Sequence, residues 1–295
     1  MFRSGPVVGG LLLLAACSGG GGGTAAPSAS PTPYGTVLDQ ALAPVNTGLG
    51  KAVTAKTTFE LDTALAGVES NIGRAVRNLN TVTAPADADQ ARTDLANGLT
   101  ALAAESSALR GDVLQHKLCT VGVAQARLGA GPGMAAVSAA LSKLTAAGYR
   151  TGLVVPRFPS PQPQLRVLEN GALVRDGGKA GKGALHIDNE RGPADAVLTL
   201  AQDGKSVASV YAAKGQSTAV EGIKEGSYDV YVATGADWDS EARQFTQDCR
   251  FVKYKDRFAF PNPQGGAGWD FDLTPVKGAG GAQAEGQTVN SAPQP

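Results

Sequence analysis

The chain contains few of the residues on which enzymes and metalloproteins most often depend: 2 histidines and 3 cysteines among 295 residues. Neither histidine has a second ligand at zinc-binding spacing, so the sequence carries no histidine-based zinc signature. Nucleophile-elbow, phosphate-loop and HExxH motifs are also missing from the sequence. The sequence therefore predicts no catalytic residues, no cofactor and no metal site, and we expect a protein that is not an enzyme.

An excess of charge of one sign is missing as well. Lys and Arg total 26, Asp and Glu total 26, and the balance stays close to even in both halves of the chain. Nucleic-acid-binding proteins need a basic patch to neutralise phosphates. The charge pattern therefore argues against nucleic acid as a partner.

Long hydrophobic runs are absent, and the longest apolar stretch is the short segment from Val7 to Ala16. A membrane-spanning helix needs about 20 apolar residues. The stretch ends in Leu14-Ala15-Ala16-Cys17, which resembles the lipobox of bacterial lipoprotein precursors. That resemblance implies diacylglycerol on the Cys17 sulfur, cleavage of a signal peptide over 1–16, and location at the extracytoplasmic face of the cell membrane. An ordinary secretory signal is the alternative, but it needs no cysteine at the cleavage point.

Three segments lack a pattern of buried positions. Residues 17–33 consist of the cysteine followed by small residues and proline, and we expect a disordered tether. Residues 151–163 form a connector whose last part alternates proline, and 278–295 is rich in Gly, Ala, Gln and Pro. We expect 278–295 to be a disordered tail.

Residues 34–150 have apolar positions at helical spacing, which predicts four helices. A first helix over Val37–Val53 contains Pro44, which indicates a kink or a break. Three further stripes each lie on one helix face: Leu61, Leu65, Val68, Ile72, Val76 and Leu79; Ala88, Ala91, Leu95, Leu99, Leu102, Leu109 and Val113; and Val137, Leu141 and Leu144. Helices with one apolar face bury it against one another, so we expect an antiparallel helical bundle.

Residues 164–277 alternate apolar and polar positions between glycine-rich turns, which is typical of short strands. Asn170-Gly171 and Asp203-Gly204 are hairpin signals, and the whole region predicts eight or nine strands. The fold class predicted for the whole chain is therefore α+β, with the bundle followed by an antiparallel β-sandwich.

The segment Val220-Glu221-Gly222-Ile223-Lys224-Glu225-Gly226-Ser227-Tyr228-Asp229-Val230 resembles a turn of transthyretin-like and carboxypeptidase-regulatory-like sandwiches. A longer series, including Leu185–Asn189 and Gly235–Asp239, is similar to a sandwich of actinobacterial surface lipoproteins, over about residues 183–276. The resemblance implies a fold, but such domains serve as binding, adhesive or spacer modules, and a fold does not choose among them.

Once Cys17 is assigned to lipid, two cysteines remain. In an oxidising compartment, Cys119 and Cys249 are expected to form one disulfide that fixes the bundle to the sandwich, and two buried free thiols are the alternative. His116 lies three residues before Cys119, but a thiolate–imidazole pair would need an unoxidised thiol and a third orienting group.

The segment Asp237-Trp238-Asp239 is the candidate binding loop. An exposed tryptophan between acids can stack on a sugar or contact a protein partner. With Glu241 and Asp248, these acids also approach the ligand spacing of a calcium loop, although Ala242 replaces the glycine of the sharp turn. A strand-end turn with side-chain-to-backbone hydrogen bonds is the favoured interpretation of the acids.

The sequence thus predicts a non-enzymatic, lipid-anchored cell-surface protein with a binding or scaffolding role at the envelope. Its expected partners are the membrane, through the lipid on Cys17, and an envelope protein or glycan. Two alternatives stay open: an envelope hydrolase that uses carboxylates of the sandwich, and a solute-binding lipoprotein. The latter class usually has two α/β lobes, which the pattern here does not show.

Overall fold

The computed structural model describes residues 33–159, 165–177, 179–260, 268–273 and 286–289, together with Pro293 and Pro295. The predicted signal peptide, Cys17 and nearly all of the predicted tether lie outside the described residues, as do the end of the connector and most of the predicted tail. The chain from Tyr34 onward forms one compact unit.

Within the described residues, the N-terminal part of this unit is helical. Its helices are α1 (Tyr34–Thr54), α2 (Thr58–Thr81), α3 (Asp89–Leu114), α4 (Val121–Gly129) and α5 (Pro132–Ala146). The predicted stripes form the core: all seven positions of the α3 stripe are buried, and so are Leu61, Leu65, Val68, Ile72 and Leu79 of α2. The prediction of a helical bundle is therefore confirmed.

Helix α3 is the centre of the bundle, since it packs against both α2 and α5. At the α3–α5 contact, a Cβ atom added to Gly133 would lie 2.6 Å from the backbone nitrogen of Leu102. Glycine at this position therefore allows the two helix backbones to approach closely, which no larger residue permits without displacement.

Two features of the bundle differ from the prediction. Helix α1 continues through Pro44 as a single element, so of the predicted kink or break the break is wrong. Helix α4 was not predicted, because its nine residues are too few for a periodic stripe to stand out. The Gln125 side chain fixes α4 by donating hydrogen bonds to the carbonyl oxygens of Ala52 and Val53, both at 2.9 Å, at the end of α1.

The C-terminal part contains two sheets. The main sheet has β1 (Leu173–Asp176), β3 (Asp195–Gln202), β4 (Lys205–Ala212), β6 (Gly226–Asp239), β7 (Gln244–Tyr254), β8 (Phe258–Phe260) and β10 (Gly286–Thr288), in the order β1-β4-β3-β6-β7-β10 with β8 also paired to β6. The second sheet has β2 (Lys179–Asp188), β5 (Ser217–Ile223) and β9 (Gly268–Asp272), in the order β5-β2-β9. Its β2–β9 pair is parallel, and the other strand pairs are antiparallel.

The main sheet is covered on both faces. Its inner face packs against the second sheet through residues such as Leu198 and Val230, which meet Leu185 and Ile187. Its outer face carries a separate apolar cluster of Val197, Tyr211, Trp238, Phe245 and Cys249, against which Leu168 and Ala172 of the segment before β1 pack. The predicted antiparallel sandwich is confirmed as the dominant architecture, with an additional covering layer.

Two predicted features of the sandwich differ in the structure. The hairpin at Asp203-Gly204 forms, but the one at Asn170-Gly171 does not, because residues 165–169 form no strand. Instead, the backbone carbonyl of Arg166 accepts a hydrogen bond from the Trp238 N–H at 2.8 Å. In the segment predicted to be a disordered tail, Gly286–Thr288 pairs with Val252–Tyr254 at the edge of β7.

No helix among the described residues has both the length and the apolar character that crossing a membrane requires.

Candidate functional site

The predicted binding loop does not exist as a loop, because Asp237, Trp238 and Asp239 form the end of strand β6. Only 2% of Trp238 is exposed, and its ring packs edge-on against Phe245, with ring centroids 5.0 Å apart. The prediction that Trp238 is an exposed ligand-stacking residue is therefore wrong. The physical reason is that the covering segment around Leu168 buries the outer face of the main sheet.

Asp237 is the buried centre of a polar cluster that we call the clamp, formed by Arg166, Asp237, Asp239 and Thr246. The Asp237 carboxylate, whose side chain is fully buried, accepts hydrogen bonds from the Nε and Nη2 atoms of Arg166, both at 2.9 Å, and from the Arg166 backbone N–H at 3.1 Å. The Thr246 hydroxyl donates a further hydrogen bond to Oδ2. Arg166 Nη1 reaches Asp239 Oδ2 at 3.2 Å. The clamp thus holds the covering segment on the main sheet.

The electrostatics of the clamp agree with this structural role. Burial alone would raise the pKa of Asp237, but the hydrogen bonds from Arg166 and Thr246 outweigh it and hold the pKa below the usual carboxyl value. The hydrogen bond to Asp237 likewise raises the pKa of Arg166. Both groups therefore stay charged, and both oxygens of the Asp237 carboxylate have partners within the protein.

Asp239 also closes the turn that follows β6. Its Oδ1 accepts hydrogen bonds from the N–H groups of Glu241 and Ala242, at 2.9 and 3.0 Å. This is the strand-end turn favoured in the sequence analysis. Within the residues that the structure describes, no three His, Cys, Asp or Glu side chains gather as metal ligands would.

Cys119 and Cys249 form the predicted disulfide, with their Cα atoms 6.2 Å apart. Backbone hydrogen bonds surround it: the Cys119 N–H donates to the Thr246 carbonyl at 2.8 Å, and the Cys249 N–H donates to the His116 carbonyl at 3.0 Å. We call this region, residues 116–119 with 246–249, the joint, because it fixes the segment after α3 to strand β7. His116 lies beyond the end of α3, so the helical His116–Cys119 pair considered in the sequence analysis does not form.

A cavity of about 660 Å³ opens beside the joint, and we call it the junction cavity. Its walls come from α3, from α4, from the turn between α4 and α5, and from Leu118 and Gln247 of the joint. Most of the lining is apolar, as at Leu109, Val123 and Leu128. This volume lies within the range of small-molecule sites, which are concave, mostly apolar and supplied with a few polar groups.

Two of the residues that line the junction cavity each have one buried side-chain atom without a hydrogen-bond partner among the described residues: Glu105 Oε2 and Gln247 Nε2. The other oxygen of Glu105, Oε1, accepts a hydrogen bond from the Gly133 N–H at 2.7 Å, in the first turn of α5. A Cβ atom at Gly131 would lie 2.5 Å from Oε2, so the glycine makes room for the carboxylate. A native protein pairs nearly all buried polar atoms, and the exceptions call for an explanation.

A second concave region, of about 410 Å³, lies between α1 and α2 beside Phe59, which is 79% exposed. None of the buried, unpaired side-chain atoms found in the described part of the chain belongs to its lining. Lining residues with an unpaired buried atom, Glu105 and Gln247, therefore distinguish the junction cavity from this second region. The carboxylate-based hydrolase alternative requires two converging acids, whereas the lining of the junction cavity contributes one, Glu105.

The sequence analysis did not identify the junction cavity. Glu105 lies on the polar side of the α3 pattern, and Gln247 is two residues from Cys249. Neither position indicates a ligand site by itself. A scan of protein-family models and searches of curated proteins and of solved structures gave no significant match.

Proposed function

We propose that this chain is a lipid-anchored, non-enzymatic binding protein at the extracytoplasmic face of the bacterial envelope, and that the junction cavity is its ligand site. The anchoring part rests on the apolar segment that ends in Leu14-Ala15-Ala16-Cys17. The Cys119–Cys249 disulfide supports it, because such bonds persist in oxidising compartments and are rare in the cytosol.

The binding part rests on one observation: two of the residues that line the junction cavity, Glu105 and Gln247, each have a buried polar atom without a hydrogen-bond partner among the described residues. Leaving a buried donor or acceptor unpaired costs about 1–3 kcal/mol. Four further buried side-chain atoms of the described residues also lack a partner, but none of them belongs to a residue that lines this cavity. The clamp shows that the same chain is able to pair a buried carboxylate fully when the role is structural.

The joint gives this site a fixed shape. Leu118 and Gln247 line the cavity and also form an antiparallel bridge with each other, next to the disulfide. A covalent and hydrogen-bonded wall of this kind keeps the lining in place before the ligand arrives, which lowers the ordering cost of binding. The envelope partner would then recognise the rigid, ligand-bound protein.

The test uses the full chain, expressed in a bacterium that processes lipoproteins and released from its membranes with a mild detergent. Mass spectrometry should find an N-terminus at Cys17 that carries diacylglycerol, and native mass spectrometry should find a bound small molecule. The Cys17→Ala variant should leave the membrane fraction, and the Ala108→Trp variant, which places a bulky ring at the mouth of the cavity, where Ala108 is exposed, should lose the small molecule.

The Ala139→Trp variant is the matched control, since Ala139 is exposed on α5 and lies outside the cavity lining. An unmodified Cys17 behind an intact Met1 would disprove the anchoring. A small molecule that persists in Ala108→Trp, or none in the wild-type protein, would disprove the junction cavity as the ligand site.

A further inference from the structure

Two arginines of the main sheet meet at a single oxygen atom. Arg175, in strand β1, and Arg243, at the end of the turn between β6 and β7, each donate a side-chain hydrogen bond to the main-chain oxygen of Pro295, both at 3.3 Å. The two donating Nη atoms are therefore at most twice that distance apart. Two guanidinium groups this close repel each other, and an acceptor between them offsets that repulsion.

The charge of this arginine pair is not balanced by acidic side chains of the described residues. Five other arginines each form an ion pair with an aspartate: Arg92, Arg110, Arg127, Arg166 and Arg257. Within the described ranges, neither Arg175 nor Arg243 forms an ion pair with Asp or Glu. The shared acceptor on Pro295 therefore lies where an anion would neutralise two cations.

Both arginines are carried by ordered backbone. Arg175 lies opposite Ser209 in the pairing of β1 with β4. Arg243 follows Ala242, whose N–H donates to Asp239 of the clamp at 3.0 Å. The clamp thus fixes the turn that carries Arg243, which lowers the cost of ordering the site when a ligand binds.

We propose that Arg175 and Arg243 form a binding site for the C-terminal carboxylate of a partner polypeptide, and that the Pro295 oxygen stands in for one oxygen of that carboxylate. The stand-in is a main-chain oxygen, so the site accommodates the end of a peptide. A carboxylate carries the opposite charge and offers two acceptor oxygens to the two guanidinium groups. Capture of a C-terminal carboxylate is a recurring mode of peptide recognition.

The arginine site is separate from the junction cavity, since neither Arg175 nor Arg243 lines that cavity. It is therefore independent of the proposed ligand site. Pro295 competes with a partner for the two arginines, because a segment of the same molecule has an effective concentration on the order of millimolar. A separate peptide should bind the full chain weakly, and more tightly once the last residues are removed.

The probe is a fluorescein-labelled peptide with the sequence of residues 289–295, prepared with a free C-terminal carboxylate and as the C-terminal amide. Fluorescence anisotropy measures its binding to the full chain and to a shortened variant that ends at residue 292 and so lacks the stand-in. Circular dichroism of each variant checks that it folds.

We expect the carboxylate form to bind the shortened variant about tenfold more tightly than the amide, since hydrogen bonds between ionised groups are about twice as strong as neutral ones. The full chain should bind the carboxylate form about tenfold more weakly than the shortened variant, because Pro295 competes. In the shortened variant, Arg175→Gln should reduce the preference for the carboxylate more than Arg243→Gln, because Arg175 is half-buried and Arg243 is exposed. With both substitutions the two forms of the peptide should bind equally.

Arg150→Gln in the shortened variant is the matched control, since Arg150 is exposed just beyond α5 and loses the same charge. It should keep the full preference for the carboxylate. Equal binding of the two peptide forms to the shortened variant, or no measurable binding of either, would overturn the proposal. So would a preference that persists when both Arg175 and Arg243 are replaced.

Discussion

The clamp and the wall of the junction cavity each contain a carboxylate with buried oxygens, and the two carboxylates differ in how many hydrogen bonds they accept. Asp237 accepts four hydrogen bonds, three from Arg166 and one from Thr246. Glu105 accepts one, from Gly133, and its second oxygen is buried without a protein partner among the described residues. Asp237 belongs to the segment Asp237-Trp238-Asp239 that the sequence predicts to be a binding loop, whereas no sequence pattern points to Glu105.

This difference shows that an acidic residue beside an aromatic one says little about function until its hydrogen bonds are known. A fully paired buried carboxylate stabilises the fold, because removing any partner leaves an uncompensated charge. A half-paired one leaves a buried acceptor unsatisfied, which costs stability.

Removing the disulfide should affect the junction cavity more than the clamp. In Cys119→Ala/Cys249→Ala, the loss of a cross-link spanning 130 residues should lower the free energy of unfolding by about 4–5 kcal/mol, an upper figure from chain entropy. Denaturant titration measures the loss. Ligand binding at the junction cavity should weaken because the joint loosens, whereas the clamp should persist. Unchanged stability in the double variant would contradict the prediction.

Removing the cation of the clamp should cost about 3–5 kcal/mol, because Arg166→Met leaves the buried Asp237 carboxylate without its counter-charge. The exposed Arg250 of β7 provides the control, and Arg250→Met should change stability by less than about 0.5 kcal/mol. Urea denaturation compares the two variants. Equal effects would show that the clamp contributes nothing specific.

Neutralising each carboxylate in turn compares the two sites directly. Asp237→Asn should lower the free energy of unfolding by about 2 kcal/mol, since Arg166 loses its charged partner but is partly hydrated at 29% side-chain exposure. Glu105→Gln should change it by less than about 1 kcal/mol, because the new amide oxygen still accepts the Gly133 hydrogen bond. Denaturation of both variants at pH 7 measures the difference, and a larger loss in Glu105→Gln would reverse the assignment of roles.

Acid should weaken the clamp as the Asp237 carboxylate becomes protonated. Because the pKa of Asp237 is lowered in the folded protein, its contribution to stability is complete above the ordinary carboxyl pKa, near 4, and is lost as the pH falls through the lower, folded-state value. Stability measured between pH 5 and pH 2 should therefore fall less steeply in Asp237→Asn than in the wild-type protein. Asp203→Asn, in an exposed turn, should keep the wild-type slope.

Much of the fold followed from local patterns. The stripes of α2 and α3 are long enough for their spacing to identify one buried face, and the Asp203-Gly204 turn joins strands adjacent in sequence. Helix α4 was not predicted because it is short and is held by a contact distant in sequence, from Gln125 to the end of α1. The disulfide was predictable because only two cysteines remained to pair.

The site was not predictable, because it depends on contacts between residues far apart in the chain. Trp238 has the alternation of a strand, but its burial depends on the covering segment around Leu168. The junction cavity brings Glu105 of α3 to the same space as Gln247 of β7. No pattern within either segment predicts that the two residues line one cavity. Nor does any pattern predict that one oxygen of Glu105 accepts a hydrogen bond within the described residues while the other does not.

Strand β7 carries one residue of each region in succession: Thr246 donates to the clamp, and Gln247 lines the junction cavity. Neighbouring residues of a strand point to opposite sides, so a shift of the backbone that retunes one side chain also moves the other. Under the proposed function, a change of ligand selectivity is therefore constrained at Gln247, and Val123 and Arg127 of α4, which line the same cavity, are the more tolerant positions. Substitutions that alter the ligand should accumulate on that helix while the Thr246-Gln247 pair stays fixed.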